Sequence, residues 1–342
     1  MPSLWIGKKN TQCNTQTRAV PNLITFAPKT YTMISRRNIR IKVMQTLYTI
    51  ESQQHESGSA AGDKQLDKHF ELTRSLFAYL AYFLTEVARY AEKDAHIRSN
   101  KHLPTDNDLN INTKIAGNEL LWKILEEPGF VAAKQELHPE RLLDEQLLKK
   151  IYRELTASEE YREYIGEPSR DKRSEKDILF HIFNRLMLPN EDFTGHLEEH
   201  FVNWQDDAEM LVLLVQNFIQ KPHQIRLLEF VSAEKKEFGH TLLRTTTEKK
   251  ELSMELLKPK LKNWDAERIA ALDLLMIRMA IMEFLFFETI PPKVTINEYI
   301  DIAKEYSTDQ SGHFINGILD NILKELTAQG RISKKTYKNS TL

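Results

Sequence analysis

With one cysteine, Cys13, in 342 residues the chain cannot close an internal disulfide, which fits a reducing compartment. Glycine and proline are also few, eleven and twelve, and no segment sustains the period-two alternation of a strand. An extensively β-sheet fold is therefore not expected. The longest strongly apolar stretch, residues 274–287, is interrupted by Arg278 and Glu283. A spanning helix needs roughly 20 mainly apolar residues, so this stretch reads as a buried core helix and the chain as a soluble, cytoplasmic protein. Net charge is only −2, and any attraction to nucleic acid must be local.

Acidic residues are missing altogether before Glu51, whereas Lys8, Lys9, Arg18, Lys29, Arg36, Arg37, Arg40 and Lys42 precede it. A basic, acid-free opening is either a targeting peptide or a nucleic-acid-binding arm. Residues 1–32 have no apolar h-region and no helical period, and Pro21 and Pro28 break them further. They are expected to be disordered. Met33 directly precedes a clean helix signal and is a candidate translation start; mass spectrometry of the native N-terminus tests this.

What the sequence does hold is helical periodicity. Ser35 is a candidate N-cap, and Ile39, Val43, Leu47 and Ile50 follow as one narrow stripe. Residues 55–62 read as a polar linker, and a long helix over 64–95 carries Leu66, Phe70, Phe77, Leu80, Leu84 and Val87 inward. Shorter helices are predicted near 117–127, 139–164, 174–187 and 207–220, with loops at 99–113 and 166–173. A helix near 234–257 ends before Pro259, and another runs from Asp265 to Phe287, apolar on most sides like a central bundle helix. After Pro291-Pro292, Thr295 and Glu298 have capping-box spacing; Ile296, Tyr299, Ile300 and Ala303 face inward. The last helix, about 309–327, buries Ile315, Ile318, Leu319, Ile322 and Leu326. The fold class is all-α, a helical bundle.

Three runs carry a family resemblance: Ile277-Arg278-Met279-Ala280-Ile281-Met282-Glu283, then Ile290-Pro291-Pro292-Lys293-Val294-Thr295-Ile296-Asn297-Glu298, then Ala303-Lys304 with Ser311-Gly312-His313-Phe314-Ile315-Asn316-Gly317-Ile318-Leu319-Asp320. In this order and spacing they closely resemble the NusB family. Arg36-Arg37, Arg40 and Gln45-Thr46-Leu47-Tyr48 resemble that family's Arg-rich first helix. The resemblance implies a NusB-like bundle of residues 33–51 and 234–330, with residues 52–233 as a large helical insertion and 331–342 as a flexible tail. It implies a non-catalytic transcription antitermination factor that binds boxA RNA of ribosomal RNA leaders together with NusE, a small-subunit ribosomal protein, and joins the RNA polymerase antitermination complex. No cofactor or metal is implied.

Candidate RNA contacts follow. Arg37, Arg40, Met44 and Tyr48 fall along one helix side, with Arg36 beside them; guanidinium groups suit phosphates and a Tyr ring suits base stacking. The bland alternative is a solvated basic face with Tyr48 half in the core. The resemblance carries a base contact onto Phe314, although core packing is the ordinary fate of such a residue. It places Asp273 near the RNA, where a carboxylate accepts from a base amino group; Ser311 precedes Phe314 at a helix start, where free N–H groups attract phosphate. Lys304, opposite its helix's buried stripe, is a candidate phosphate contact or a plain surface lysine. Family members often carry an acid where Gln310 stands, which bears on fine tuning of affinity. Gly317 inside a helix costs roughly 0.8–1 kcal/mol relative to Ala; close approach of a neighbouring helix is the first explanation, contact with a partner the second.

Three rival readings remain in view. His196-Leu197-Glu198-Glu199-His200 matches the H-x-x-E-H pattern of inverted zinc proteases, but the pattern is short and its surroundings are acidic; zinc analysis separates the two. A NusB-like domain also occurs fused to RNA methyltransferases, whose cofactor site needs a Gly-rich turn; here no two glycines lie closer than four residues. The third is a helical protein-interaction scaffold that has lost RNA binding.

Overall fold

A computed structural model describes residues 34–52, 59–225, 227–261 and 270–334. The expected disorder of residues 1–32, the first half of the expected linker, the helix start at Asp265 and the end of the expected tail lie outside the described residues. Every regular element among the described residues is helical, and none of these helices is long and apolar enough to cross a membrane. The chain divides into two compact units, one holding Ser35–Phe70 and the chain from Ser232 onward, the other Glu71–Val231.

Helix α1 spans Arg36–Ser52 and α2 spans Ser59–Ser99. The six inward positions expected of α2 are buried. The helix is longer than the expected 64–95 and already includes Gly62. In the second unit follow α3 (Asp106–Leu109), α4 (Glu119–Leu125), α5 (Pro128–Leu137), α6 (Glu145–Ala157), α7 (Glu159–Gly166), α8 (Lys172–His181), α9 (Glu191–His200) and α10 (Trp204–Gln220). Side-chain caps punctuate this unit: Asn118, Asp144, Asp171 and Asn190 each accept from two N–H groups of the helix they open, satisfying donors that the first turn leaves free. The single helix expected over 139–164 is in fact two, because Ser158 leaves the helical conformation and its hydroxyl caps α7. Helices α5 and α9 were not anticipated.

The first unit is completed by α11 (Ala233–Glu248), α12 (Lys250–Leu257), α13 (Ala271–Phe286), α14 (Pro292–Tyr306) and α15 (Ser311–Ala328). The helix predicted over 234–257 breaks at Lys249 (φ −106°, ψ 30°). Helix α13 opens at Ala271 after the extended Ala270. Helix α13 is the centre of the bundle: from Leu272 to Phe284 only Leu274 is not buried. All five expected inner residues of α15 are buried.

Helix α1 differs most from expectation. Instead of one narrow stripe, every residue from Ile39 to Leu47 is buried, because α11 and α13 both pack on it. Gly239 of α11 permits that closeness: a Cβ there would sit 2.9 Å from Ile39 Cγ2, closer than real carbon contacts allow.

Candidate nucleic-acid interface

The first unit gathers most of the candidate residues at the start of α1, the end of α14 and the start of α15. Arg37 reaches across to α14, its Nη2 2.7 Å from Glu305 Oε1 and its Nη1 3.6 Å from Asp301 Oδ2. Asp301 also pairs with Lys304 at 3.2 Å, and the Lys304 stem runs beside Gly312 in the first turn of α15. Arg37, Lys304 and the α15 start therefore form one contiguous surface. Arg37 is 31% and Lys304 64% exposed. Burial works to lower the Arg37 pKa, but Glu305, backed by Glu298 and Asp301, outweighs it and raises it. Arg36 sits beside this surface, paired with Glu234 at 2.6 Å and with its guanidinium 5.8 Å from the Phe238 ring centre.

Arg40 is not part of that surface. It is 2% exposed, and its Nε and Nη2 donate to the two oxygens of Glu283 at 2.7 and 2.9 Å. Tyr299 and Thr295 hydroxyls donate to the same carboxylate at 2.9 and 3.1 Å, and Nη1 reaches Glu298 at 3.4 Å. Burial alone would lower the Arg40 pKa; Glu283 outweighs it and raises it. A guanidinium enclosed in this way has no face for a phosphate, and the expected RNA contact at Arg40 is corrected to an internal ion pair. Met44 is buried on the same side. The expected capping box is corrected with it: α14 starts at Pro292, so Thr295 and Glu298 lie inside the helix and serve the Arg40–Glu283 network instead.

Burial also changes the reading of three further candidates. Asp273 is 4% and Ser311 1% exposed. Ser311 Oγ donates to Asp273 Oδ2 at 2.7 Å and accepts the Thr308 N–H at 3.1 Å. This bond ties the α13 start to the α15 start. Asp273 Oδ1 has no hydrogen-bond partner among the described residues. Phe314 is 6% exposed, so its ring is core rather than an open stacking face. These three shape the floor under the exposed cations; direct contact by the Ser311 hydroxyl or the Phe314 ring is not what the geometry supports. Tyr48 is half-buried and lies roughly 16 Å along α1 from Arg37, at 1.5 Å per residue. It is not brought to the same patch.

Glu283 is the residue that sequence reasoning missed. Its signal was present: a carboxylate within an apolar helix needs a charged or hydrogen-bonding partner once buried. Arg278, the other interruption, likewise pairs with Glu51 at 2.6 Å and donates to Thr246 O at 3.1 Å. Gly317 is corrected too. A Cβ there meets nothing within 4 Å among the described residues, so no described neighbouring helix explains it. In the second unit, His196 Nε2 is bonded to the Tyr79 hydroxyl at 2.6 Å and the His200 ring to the His196 carbonyl at 2.9 Å; among the described residues no group of three His, Cys, Asp or Glu side chains is placed to hold a metal.

Residues 201–324 match the NusB family model. The match opens ahead of the boundary at 234 expected from the motifs. The chain is similar to proteins named Transcription antitermination protein NusB. It is 46% identical to that of Salinibacter ruber over 99 residues, 29% of this chain and 62% of that protein. It is 43% identical to that of Methylacidiphilum infernorum over 90 residues, 26% and 63%. With that of Chloroherpeton thalassium identity is 49% over 72 residues, 21% and 34%. The chain thus spans less than two thirds of the length of each of these relatives. No solved structure matches it.

Proposed function

We propose, from the match of residues 201–324 to the NusB family model, that this protein is a transcription antitermination factor. It acts in the cytoplasm without catalysis, binding boxA RNA together with NusE within the RNA polymerase antitermination complex. The NusB-like bundle is the unit of Ser35–Phe70 and the chain from Ser232, and most of the expected 52–233 insertion is the second unit. The observation that carries the reading is the family match itself. Its physical support is that Arg37 and Lys304, beside the start of α15, keep part of their surface open to solvent while paired with Asp301 and Glu305. Arg36, Arg37 and Lys304 hold phosphates, and Tyr48 offers a ring to a base further along the strand. Asp273, Ser311 and Phe314 act from beneath, by fixing where α13 and α15 start.

The test is binding of labelled boxA RNA against a scrambled strand, with and without NusE. Arg37→Ala and Lys304→Ala should each weaken binding and reduce the salt slope by about 0.7, one phosphate contact's worth on a single strand. Equal affinity for both RNAs, untouched by either variant, refutes RNA recognition here. That outcome favours the alternative, a helical interaction scaffold that has lost RNA binding. One observation speaks for this alternative: Arg36, Arg37 and Lys304 all face carboxylates of their own chain.

A further inference from the structure

We infer that Asp301 and Glu305 are built-in competitors for phosphate at Arg37, so that an RNA strand engages this surface only by displacing them. The inference rests on the RNA-binding reading above and adds residues that it did not use.

Glu298, Asp301 and Glu305 stand at i, i+3 and i+7 on α14, along one helix face. Arg37 crosses that row with both terminal nitrogens engaged, Nη2 on Glu305 at 2.7 Å and Nη1 on Asp301 at 3.6 Å. A guanidinium binds a phosphate through the same fork that it offers to carboxylates, so the two ligands exclude one another. Asp301 holds Lys304 as well, at 3.2 Å; one carboxylate thus occupies both cations of the patch. A phosphate brought to Arg37 also enters the field of two carboxylates well inside the screening distance of about 10 Å at 0.1 M salt. All four groups are partly exposed, and exposed pairs are weak enough to exchange. The acids therefore lower affinity without abolishing it, and set how strongly the surface discriminates against non-cognate polyanions.

The experiment is fluorescence anisotropy of a short fluorescein-labelled single-stranded boxA RNA with the full chain. It compares the wild type, the double variant Asp301→Asn/Glu305→Gln, the variant Arg37→Gln and the triple variant, each checked for an unchanged melting profile. The double variant is expected to bind roughly three- to tenfold more tightly, the range that two weak exposed pairs allow. In the Arg37→Gln background the same two substitutions should change affinity less than twofold. A gain of equal size without Arg37 overturns the inference, because it reflects a general loss of negative charge. Unchanged affinity of the double variant, with the wild type binding normally, overturns it while leaving the RNA-binding reading intact. Failure of every variant to bind overturns both.

Discussion

Replacing Arg40 by Ala separates a structural arginine from RNA-contacting ones. The substitution leaves the Glu283 carboxylate fully buried and without its ion-pair partner, still accepting from the Thr295 and Tyr299 hydroxyls. Removing one partner of a buried ion pair costs about 3–5 kcal/mol. Global stability of domains is commonly about 5–15 kcal/mol, so Arg40→Ala should consume a large share of it. Arg37→Ala removes only partly exposed pairs, worth about 0–1 kcal/mol each. Urea denaturation followed by circular dichroism measures both. The midpoint should fall far for Arg40→Ala and barely for Arg37→Ala, whereas RNA affinity of the still-folded fraction should fall for Arg37→Ala. Arg40→Met combined with Glu283→Leu should recover much of the lost stability, since a buried pair is often replaceable by well-packed apolar residues. An Arg40→Ala protein that is as stable as the wild type, yet blind to RNA, would refute the assignment of Arg40 to the interior.

Three further outcomes follow from the geometry. Gly317→Ala should stabilise the isolated protein by roughly 0.8–1 kcal/mol, because a Cβ there meets open space; loss of partner binding in the same variant would identify Gly317 as a contact point. Gly239→Ala should instead lower the urea midpoint, since its Cβ would collide with Ile39. In the second unit, burial and then the neighbouring His200 hold the His196 pKa below its ordinary value. The unfolded chain therefore binds the proton first, and this contribution to stability is present above about pH 6.5 and declines as pH falls through the folded value. Thermal melts across pH 7 to 5 should show a steeper loss for the wild type than for His196→Asn.

The sequence reveals the bundle most clearly where burial is one-sided. Ile315, Ile318, Leu319, Ile322 and Leu326 repeat at helical spacing and are all buried in α15. It misleads where polar groups are interior. Arg40 looks like a phosphate contact because its type and spacing match Arg37, and nothing local announces that Glu283, 243 residues away, encloses it. Thr295 and Glu298 look like a cap because a capping box and a shared buried carboxylate select the same side chains. Glycine shows the same ambiguity: Gly317 attracts attention inside a conspicuous motif, while Gly239, which lets α1 and α11 approach, has no motif around it. The breaks at Ser158 and Lys249 escape notice because neither residue is a strong helix breaker. Whether a cation is available to solvent is a tertiary property, which Arg37 and Arg40 share in sequence and not in space.

The carboxylate of Glu283 joins side chains from opposite ends of the polypeptide, and this dictates an order of events at the ribosome. At translation rates of about 5–20 residues per second, roughly 10–50 s pass between the emergence of Arg40 and that of its acceptor. Throughout that interval Ile39, Val43 and Leu47 have none of the α13 surface that will finally cover them. The intervening unit can mature first, leaving the opening helix to dock late as a non-local step. A nascent chain stalled before residue 283 should accordingly expose that helix to protease or chaperone, and one released past α14 should not.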